Sequence, residues 1–244
     1  MINIVTFKWK RPGTGMTLPE AVEEYTVNHI NILYNSIKRN TTVDFKFTCV
    51  TDDPVGLSPE INYVPIWNKC IHMGGCYNRL YTFSKDMKNI LGDRFLCIDI
   101  DTVITGNIDH ILTIKDEFAI LEYGDPSLGK RGKPCPDQHY NGGLFMMNAG
   151  ARSQVWDDFD FERTHQSLEP LRKQKRIVGS DQAWISHKLG PNETKINKNN
   201  GCYYYLWLKD KNNLPSNCAM VSFAGNRDPS TFYKKHKWIQ DNWR

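Results

Sequence analysis

Phe95-Leu96-Cys97-Ile98-Asp99-Ile100-Asp101-Thr102-Val103-Ile104-Thr105-Gly106-Asn107-Ile108-Asp109 is the most informative stretch of the chain. Residues 95–100 form its most apolar run, which reads as a strand buried on both faces. In a strand, residues i and i+2 share a face, so the spacing expects Asp99 and Asp101 to present two carboxylates together while Ile100 turns inward. They fall at the carboxyl end of that strand, where open α/β sheets bind their ligands. Two like charges held close repel, so a cation is expected with them. Hard oxygen donors suit Mg²⁺ or Mn²⁺, whose remaining positions go to water and substrate phosphates. Asp-x-Asp alone is short and common, and a pair of surface acids is its ordinary meaning, so the surrounding sequence has to decide.

Outward from this stretch, residues 2–7 and 45–51 read as strands, the second stopped by Asp52-Asp53-Pro54, and residues 63–67 as a third. Thr17 with Glu20 makes a capping box expected to open a helix whose apolar face is Ile30, Leu33, Tyr34 and Ile37. Leu80, Phe83, Met87 and Leu91 mark a second helix that ends at Gly92. After the acidic pair come strands at 102–104, 118–121 and 144–148, partial helix over 156–175, a short helix from Ser180 to Leu189 and a last strand at 219–223. The Gly/Pro-rich stretch 124–143 is long for a connection in a compact domain, and such loops are usually functional or disordered. Alternating strands and helices predict an α/β domain, with a mainly parallel sheet and helices on both faces.

The 244 residues suit one large domain or two small ones, and 40% apolar content is enough for a core that needs no disulfide or metal staple. With 31 basic against 27 acidic residues the charge is too balanced for a nucleic-acid binder, so no nucleic-acid partner is expected. The seven cysteines are odd in number and lack Cys-x-x-Cys spacing, which favours reduced thiols over disulfides or zinc. The first residues lack the basic-then-apolar build of a signal peptide, and no apolar run approaches the ~20 residues of a membrane span. A soluble cytoplasmic protein is expected, with peripheral membrane contact left open. The aromatics Tyr203, Tyr204, Tyr205, Trp207, Trp238 and Trp243 read first as packing, and Lys234, Lys235 and Lys237 as a solvated face. Lys8, Lys10 and Arg11 of the first loop are candidates to assist a diphosphate.

The stretch 95–109 resembles the Asp-x-Asp segment of the GT-A glycosyltransferases, most closely the family 8 branch that includes glycogenin-like and galactosyltransferase-like enzymes. Tyr140-Asn141-Gly142-Gly143-Leu144-Phe145-Met146-Met147-Asn148 is similar to that family's Asn-x-Gly strand, and Gly179-Ser180-Asp181-Gln182 to its Asp-Gln element, all in family order. The resemblance implies a Rossmann-like GT-A fold in a single domain. Residues 1–105 would be its nucleotide-binding half and 106–244 its donor-sugar and acceptor half. It also implies a sugar moved from a nucleotide-diphosphate donor, with UDP as carrier, to a glycan, glycoconjugate or other hydroxyl acceptor. Asp99 and Asp101 would hold Mn²⁺ or Mg²⁺, with Asp99 also near the ribose. Phe7, Trp9, Asp52 and Asp53 would line the base pocket, and Arg79, Asn141 and Gly142 would bind the donor. Asp181 and Gln182 would lie at the reacting centre, a pair that favours retention; Asp181 or Asp137 would serve as base in an inverting enzyme.

The sequence departs from the family near its carboxyl end. The His-x-x-Gly-x-x-Lys-Pro pattern is replaced by Ser222-Phe223-Ala224-Gly225-Asn226-Arg227-Asp228-Pro229. The third metal ligand thus falls to Ser222 or to His236, and the phosphate contact of the Lys to Arg227. Two other readings compete. Asp99-Ile100-Asp101-Thr102-Val103 also fits a phosphatase of the haloacid dehalogenase type, with Asp99 as nucleophile and Asp101 as general acid, although that motif normally follows a first strand. A sugar- or nucleotide-binding module without catalysis is the other.

Overall fold

Runs of apolar residues without polar alternation build a sheet that is covered on both faces. The computed structural model describes residues 1–9, 25–70, 72–223, 225 and 227–244. Its strands are β1 (Ile2–Lys8), β2 (Phe45–Thr51), β3 (Asn62–Pro65), β4 (Arg94–Ile98), β5 (Thr102–Ile104), β6 (Phe118–Glu122), β7 (Tyr140–Asn148), β8 (Thr194–Ile196), β9 (Cys202–Tyr204) and β10 (Met220–Ser222). Its helices are α1 (Val27–Arg39), α2 (Met87–Leu91), α3 (Asp109–Leu112), α4 (Gln154–Asp157), α5 (Phe161–Lys173), α6 (Asp181–Leu189), α7 (Pro229–Phe232) and α8 (Lys237–Asn242), and a 3₁₀ turn spans Tyr77–Phe83.

Seven strands pair in the order β3-β2-β1-β4-β7-β6-β8, and β5-β10-β9 make a second, smaller sheet. The large sheet is parallel except at β7, which runs against both β4 and β6. Successive residues of the central strands alternate between two cores. Ile4, Leu96, Ile98, Leu144 and Met146 pack with Ile30, Leu33 and Ile37 of α1 on one face. Val5, Phe95, Cys97, Phe145 and Met147 pack with Leu80, Phe83, Ala183 and Ile185 on the other. The expected α/β domain with helices on both faces is therefore present, and it is a single domain.

Several boundaries differ from the sequence expectation. The Thr17–Glu20 box, with Lys10 and Arg11, lies outside the described residues; the helix bearing Ile30, Leu33 and Ile37 begins at Val27, after an extended Thr26 whose side chain and backbone both engage His29. The helix expected over Leu80–Leu91 is two pieces, because Ser84 takes an extended conformation between the 3₁₀ turn and α2. β4 ends at Ile98, so the two aspartates sit in the turn beyond the strand rather than on it, closed by Thr102 N–H donating to Asp99 O at 3.2 Å. β7 starts at Tyr140, earlier than expected, and the three-residue strands β8 and β9 were not anticipated. All seven cysteines are free thiols. Among the described residues no helix is long and apolar enough to cross a membrane.

Candidate functional site

Because β1, β2, β3, β4, β6 and β8 run in one direction and β7 in the other, one edge of the sheet collects the carboxyl ends of six strands and the amino end of β7. Phe7, Asp52, Asp99 and Asn141 all reach this edge. Asp99 follows β4 directly; its N–H donates to Gly143 O at 2.7 Å, which ties the acidic turn to β7.

Arg79, from the 3₁₀ turn, is the buried centre of the site. Its Nη2 meets Asp99 Oδ1 at 2.6 Å, its Nη1 lies 3.4 Å from Asp181 Oδ2, and Nη1 also donates to Gly142 O at 2.5 Å. Burial works against the guanidinium charge, but Asp99 and Asp181 outweigh it and hold Arg79 firmly protonated. The guanidinium fork matches two oxygen acceptors at once, a geometry an ammonium lacks. The guanidinium carbon also lies 5.8 Å from the centre of the Phe7 ring. Phe7 in turn makes edge contacts with Trp9 and Trp67, at 6.0 and 5.9 Å between ring centres. Trp9 is held by Asn78, whose amide oxygen accepts from Nε1 at 3.0 Å.

The Gly142-Gly143 pair has a steric cause. Ile120 pairs with Phe145 but Leu121 pairs with Asn141, so residues 142–144 form a bulge in β7 beside the acidic turn. A Cβ on Gly142 would stand 2.5 Å from Asp181 Oδ2, and one on Gly143 would overlap Asp99 Oδ2. The glycines let two carboxylates approach the β7 backbone. Asn141 Oδ1 accepts from Gly143 N–H at 2.7 Å and stiffens the same bulge.

Asp101 has a different environment. It is 8% exposed, and its Oδ2 accepts a hydrogen bond from the Tyr25 hydroxyl at 2.8 Å. Burial, and then the charge of Asp99, push its carboxyl well above the ordinary carboxylate range. Burial and the same carboxylate push the Tyr25 hydroxyl up, so it remains a proton donor. Asp181 opens α6, and Gln182 is steadied by its side-chain amide on Val178 O at 3.0 Å and by Gln138 Nε2 donating to its backbone O at 2.9 Å. Buried Gln138 also reaches Tyr140 O and Ser186, which fixes α6 against β7.

No family model matches this chain, and no curated protein matches its sequence. Solved structures do. The galactosyltransferase LgtC, in complex with donor and acceptor sugar analogs, aligns over 100% of this chain and 97% of its own, at 12% identity and a TM-score of 0.56. The GT-A glycosyltransferase fold is present. The glycosyltransferase GlyE of Streptococcus pneumoniae TIGR4 aligns over 94% of this chain at 11% identity and a TM-score of 0.56. The bifunctional glycosyltransferase WbbM aligns over 98% at 12% identity and a TM-score of 0.53. This chain spans 56% and 50% of those two proteins, respectively.

Within the GT-A frame, the residues expected from sequence separate into groups. Arg79, Asp99, Asp181, Gly142 and Asn141 come together, with Phe7 and Trp9 on the Arg79 side and Gln182 next to Asp181 on α6. Asp52 and Asp53 are exposed beyond β2, and the Asp53 carboxylate accepts from Val55 N–H in a tight turn. Asp137 is engaged by Arg176 at 2.6 Å. His236 corrects an expectation: its nitrogens meet the Tyr205 hydroxyl at 2.8 Å and Asn212 Oδ1 at 3.1 Å, within an aromatic cluster of Phe232 and Trp238, so it is committed elsewhere. Ser222 pairs across strands with Thr102, the residue after Asp101, and so does lie beside the acidic turn. Asp228 caps α7 and pairs with His29 at 3.1 Å. Among the described residues no cluster of three His, Cys, Asp or Glu side chains could hold a metal ion.

The donor chemistry nevertheless fits a hard divalent ion. Two carboxylates meet at the sheet edge, and the side-chain partner of the buried one is a neutral hydroxyl, while Arg79 contacts Asp99 and Asp181. Magnesium-type ions commonly take one or two protein carboxylates and complete their shell with water and phosphate oxygens. The aspartate pair also follows β4, the fourth strand in the chain, unlike a phosphatase nucleophile at the end of a first strand. Sequence reasoning missed Tyr25, Gln138 and the steric role of Gly143. The Gly-Gly pair was a readable signal for the last; nothing local distinguished the other two.

Proposed function

We propose that this chain is a glycosyltransferase that takes a sugar from a nucleoside-diphosphate donor, with UDP as the preferred carrier, to a hydroxyl of a glycan or glycoconjugate. The observation that carries this reading is the convergence of Asp99, Asp181 and Gly142 on one buried guanidinium, next to Asp101, at the ligand edge of a GT-A sheet. Asp99 and Asp101 are the residues to hold Mn²⁺ or Mg²⁺. When bound, such an ion supplies neutralisation of the charge that grows on the departing diphosphate.

The side chains have distinct tasks in this reading. Arg79 fixes Asp99 and Asp181 so that neither carboxylate reorganises as the donor enters. Phe7 and Trp9 offer aromatic surface to the base, and Asn141 stands at the donor sugar. Asp181 and Gln182, at the start of α6, stand at the reacting carbon. Gln182 carries no proton-accepting carboxylate, which favours retention with the departing phosphate accepting the acceptor proton. A cavity of about 220 Å³ opens on the same edge, lined by Glu122, Asp125, Lys198, Tyr203, Tyr204 and Trp207. Its mix of aromatic faces and charged groups suits a sugar acceptor. Tyr204 joins it to the acidic turn through the row Thr102, Ser222, Tyr204 across the small sheet.

The test is direct. UDP and GDP are titrated into the protein with and without Mn²⁺, and donor sugars are screened for hydrolysis and transfer, with the product's anomeric configuration read by NMR. Metal-dependent nucleoside-diphosphate binding and a retained configuration are expected. Binding of no nucleotide under either condition would remove the donor site, and an inverted product would remove the assignment of Gln182.

A further inference from the structure

Of the two carboxylates in the acidic turn, Asp101 is the one that Arg79 does not clamp. Ile100 is anchored in the core at 5% exposure and Asp99 is clamped by Arg79, while Asp101 sits in the turn beyond β4 and takes its side-chain hydrogen bond from Tyr25. The side chain that holds Asp101 comes from far away in the sequence. Tyr25 donates its hydroxyl to Asp101 Oδ2 at 2.8 Å. The same hydroxyl lies 3.5 Å from Arg227 O, and the Tyr25 ring makes an edge contact with His29 at 5.3 Å. His29 cannot swing away: its Nδ1 meets Thr26 Oγ1 at 3.0 Å and its Nε2 meets Asp228 Oδ2 at 3.1 Å. Asp228 is itself the cap of α7, accepting from Ser230 N–H at 2.7 Å. A continuous path therefore runs from the acidic turn through Tyr25 and His29 to the carboxyl-terminal segment.

We propose that Tyr25 is a positioning residue, holding Oδ2 of Asp101 so that its other oxygen faces the divalent ion. The inference rests on the metal reading above and adds a residue to it. A tyrosine serving only as packing would turn its hydroxyl to water; this one spends it on a carboxylate that is nearly buried. Hydrogen-bond partners of ligating carboxylates are part of a metal site, and losing one typically weakens metal binding about 10–100-fold. The ring stays on His29 in a Phe variant, so the hydroxyl can be removed without removing the packing.

The experiment titrates Mn²⁺ into wild-type protein, Tyr25→Phe and Asp101→Asn, following the free-ion electron paramagnetic resonance signal with no donor or acceptor present. UDP affinity is then measured in Mn²⁺ and in EDTA, and each variant's melting temperature is recorded without metal. Tyr25→Phe is expected to raise the Mn²⁺ dissociation constant about 10–100-fold. It is expected to weaken UDP binding in Mn²⁺ and leave it unchanged in EDTA. Wild-type Mn²⁺ affinity in Tyr25→Phe overturns the proposal, and so does an equal loss of UDP binding in both buffers, which is the mark of general damage. Absence of Mn²⁺ binding by the wild-type protein, with and without UDP, overturns the metal reading itself and the Tyr25 role with it.

Discussion

Replacing Arg79 with Met leaves a side chain of similar length that keeps contact with the Phe7 ring and loses every polar partner. Asp181 is only 4% exposed, so its carboxylate would lose its guanidinium partner in a nearly dry setting. Removing one member of a buried pair costs about 3–5 kcal/mol, because the remaining charge has no compensation. The Asp99 side chain is 33% exposed and water takes over part of its solvation, which places the expected loss near the lower end, about 3 kcal/mol. For a domain of this size, each kcal/mol moves the melting temperature by about 2–4 °C, so a fall of roughly 6–12 °C is expected. Urea unfolding followed by circular dichroism gives the free energy directly. The cause is then isolated by the double variant Arg79→Met/Asp181→Asn, in which the stranded charge is gone. If stranding Asp181 is the dominant cost, the double variant recovers stability relative to Arg79→Met alone. A loss under about 1 kcal/mol for Arg79→Met, the size of an exposed pair, would refute the reasoning. So would strict additivity in the double variant.

Three further outcomes are expected. Asp101→Asn lowers the transfer rate about 10²–10³-fold and abolishes metal-dependent donor binding, measured by initial rates and nucleotide titration; near-wild-type transfer removes Asp101 from the site. Gly143→Ala costs about 1–3 kcal/mol by crowding Asp99 and Asn141, and weakens donor binding, measured by thermal unfolding and nucleotide titration. Asp228 is buried, which alone would raise its carboxyl, but His29 and the Ser230 N–H outweigh that and hold it below the ordinary value. Its stabilisation is therefore complete above the unfolded carboxylate value near pH 4 and is lost as pH falls through the folded one, so Asp228→Asn flattens acid unfolding between about pH 5 and 2.

The strands at 2–8, 45–51 and 94–98 were legible because burial on both faces leaves no polar residue to interrupt the run. The apolar face of α1 was legible for the complementary reason, a single buried stripe at helical spacing. The start of that helix was not, since Thr26 makes its capping box with a histidine instead of the usual Glu or Gln. The break at Ser84 and the three-residue strands of the small sheet depend on distant partners, which a local pattern does not record. At the candidate site, Asp99, Asp181, Arg79 and Asn141 were each candidates in the sequence, and what the sequence withheld was their arrangement. Asp99 and Asp101 are neighbours by way of a turn, not by strand alternation, and they differ in character because Arg79 answers one and Tyr25 the other.

The pairing of β5 with β10 bears on how the protein is made. Synthesis runs from the amino terminus, and domains begin to organise as the chain emerges. Strands β1 to β4 have one another as partners early, and Arg79 finds Asp99 within the same emerging segment. β5, one residue beyond Asp101, pairs with residues 220–222. A nascent chain therefore holds half of its acidic pair in place while the other half still waits for its neighbours. A chain cut before residue 222 would lack the strand that β5 pairs with, directly beside Asp101.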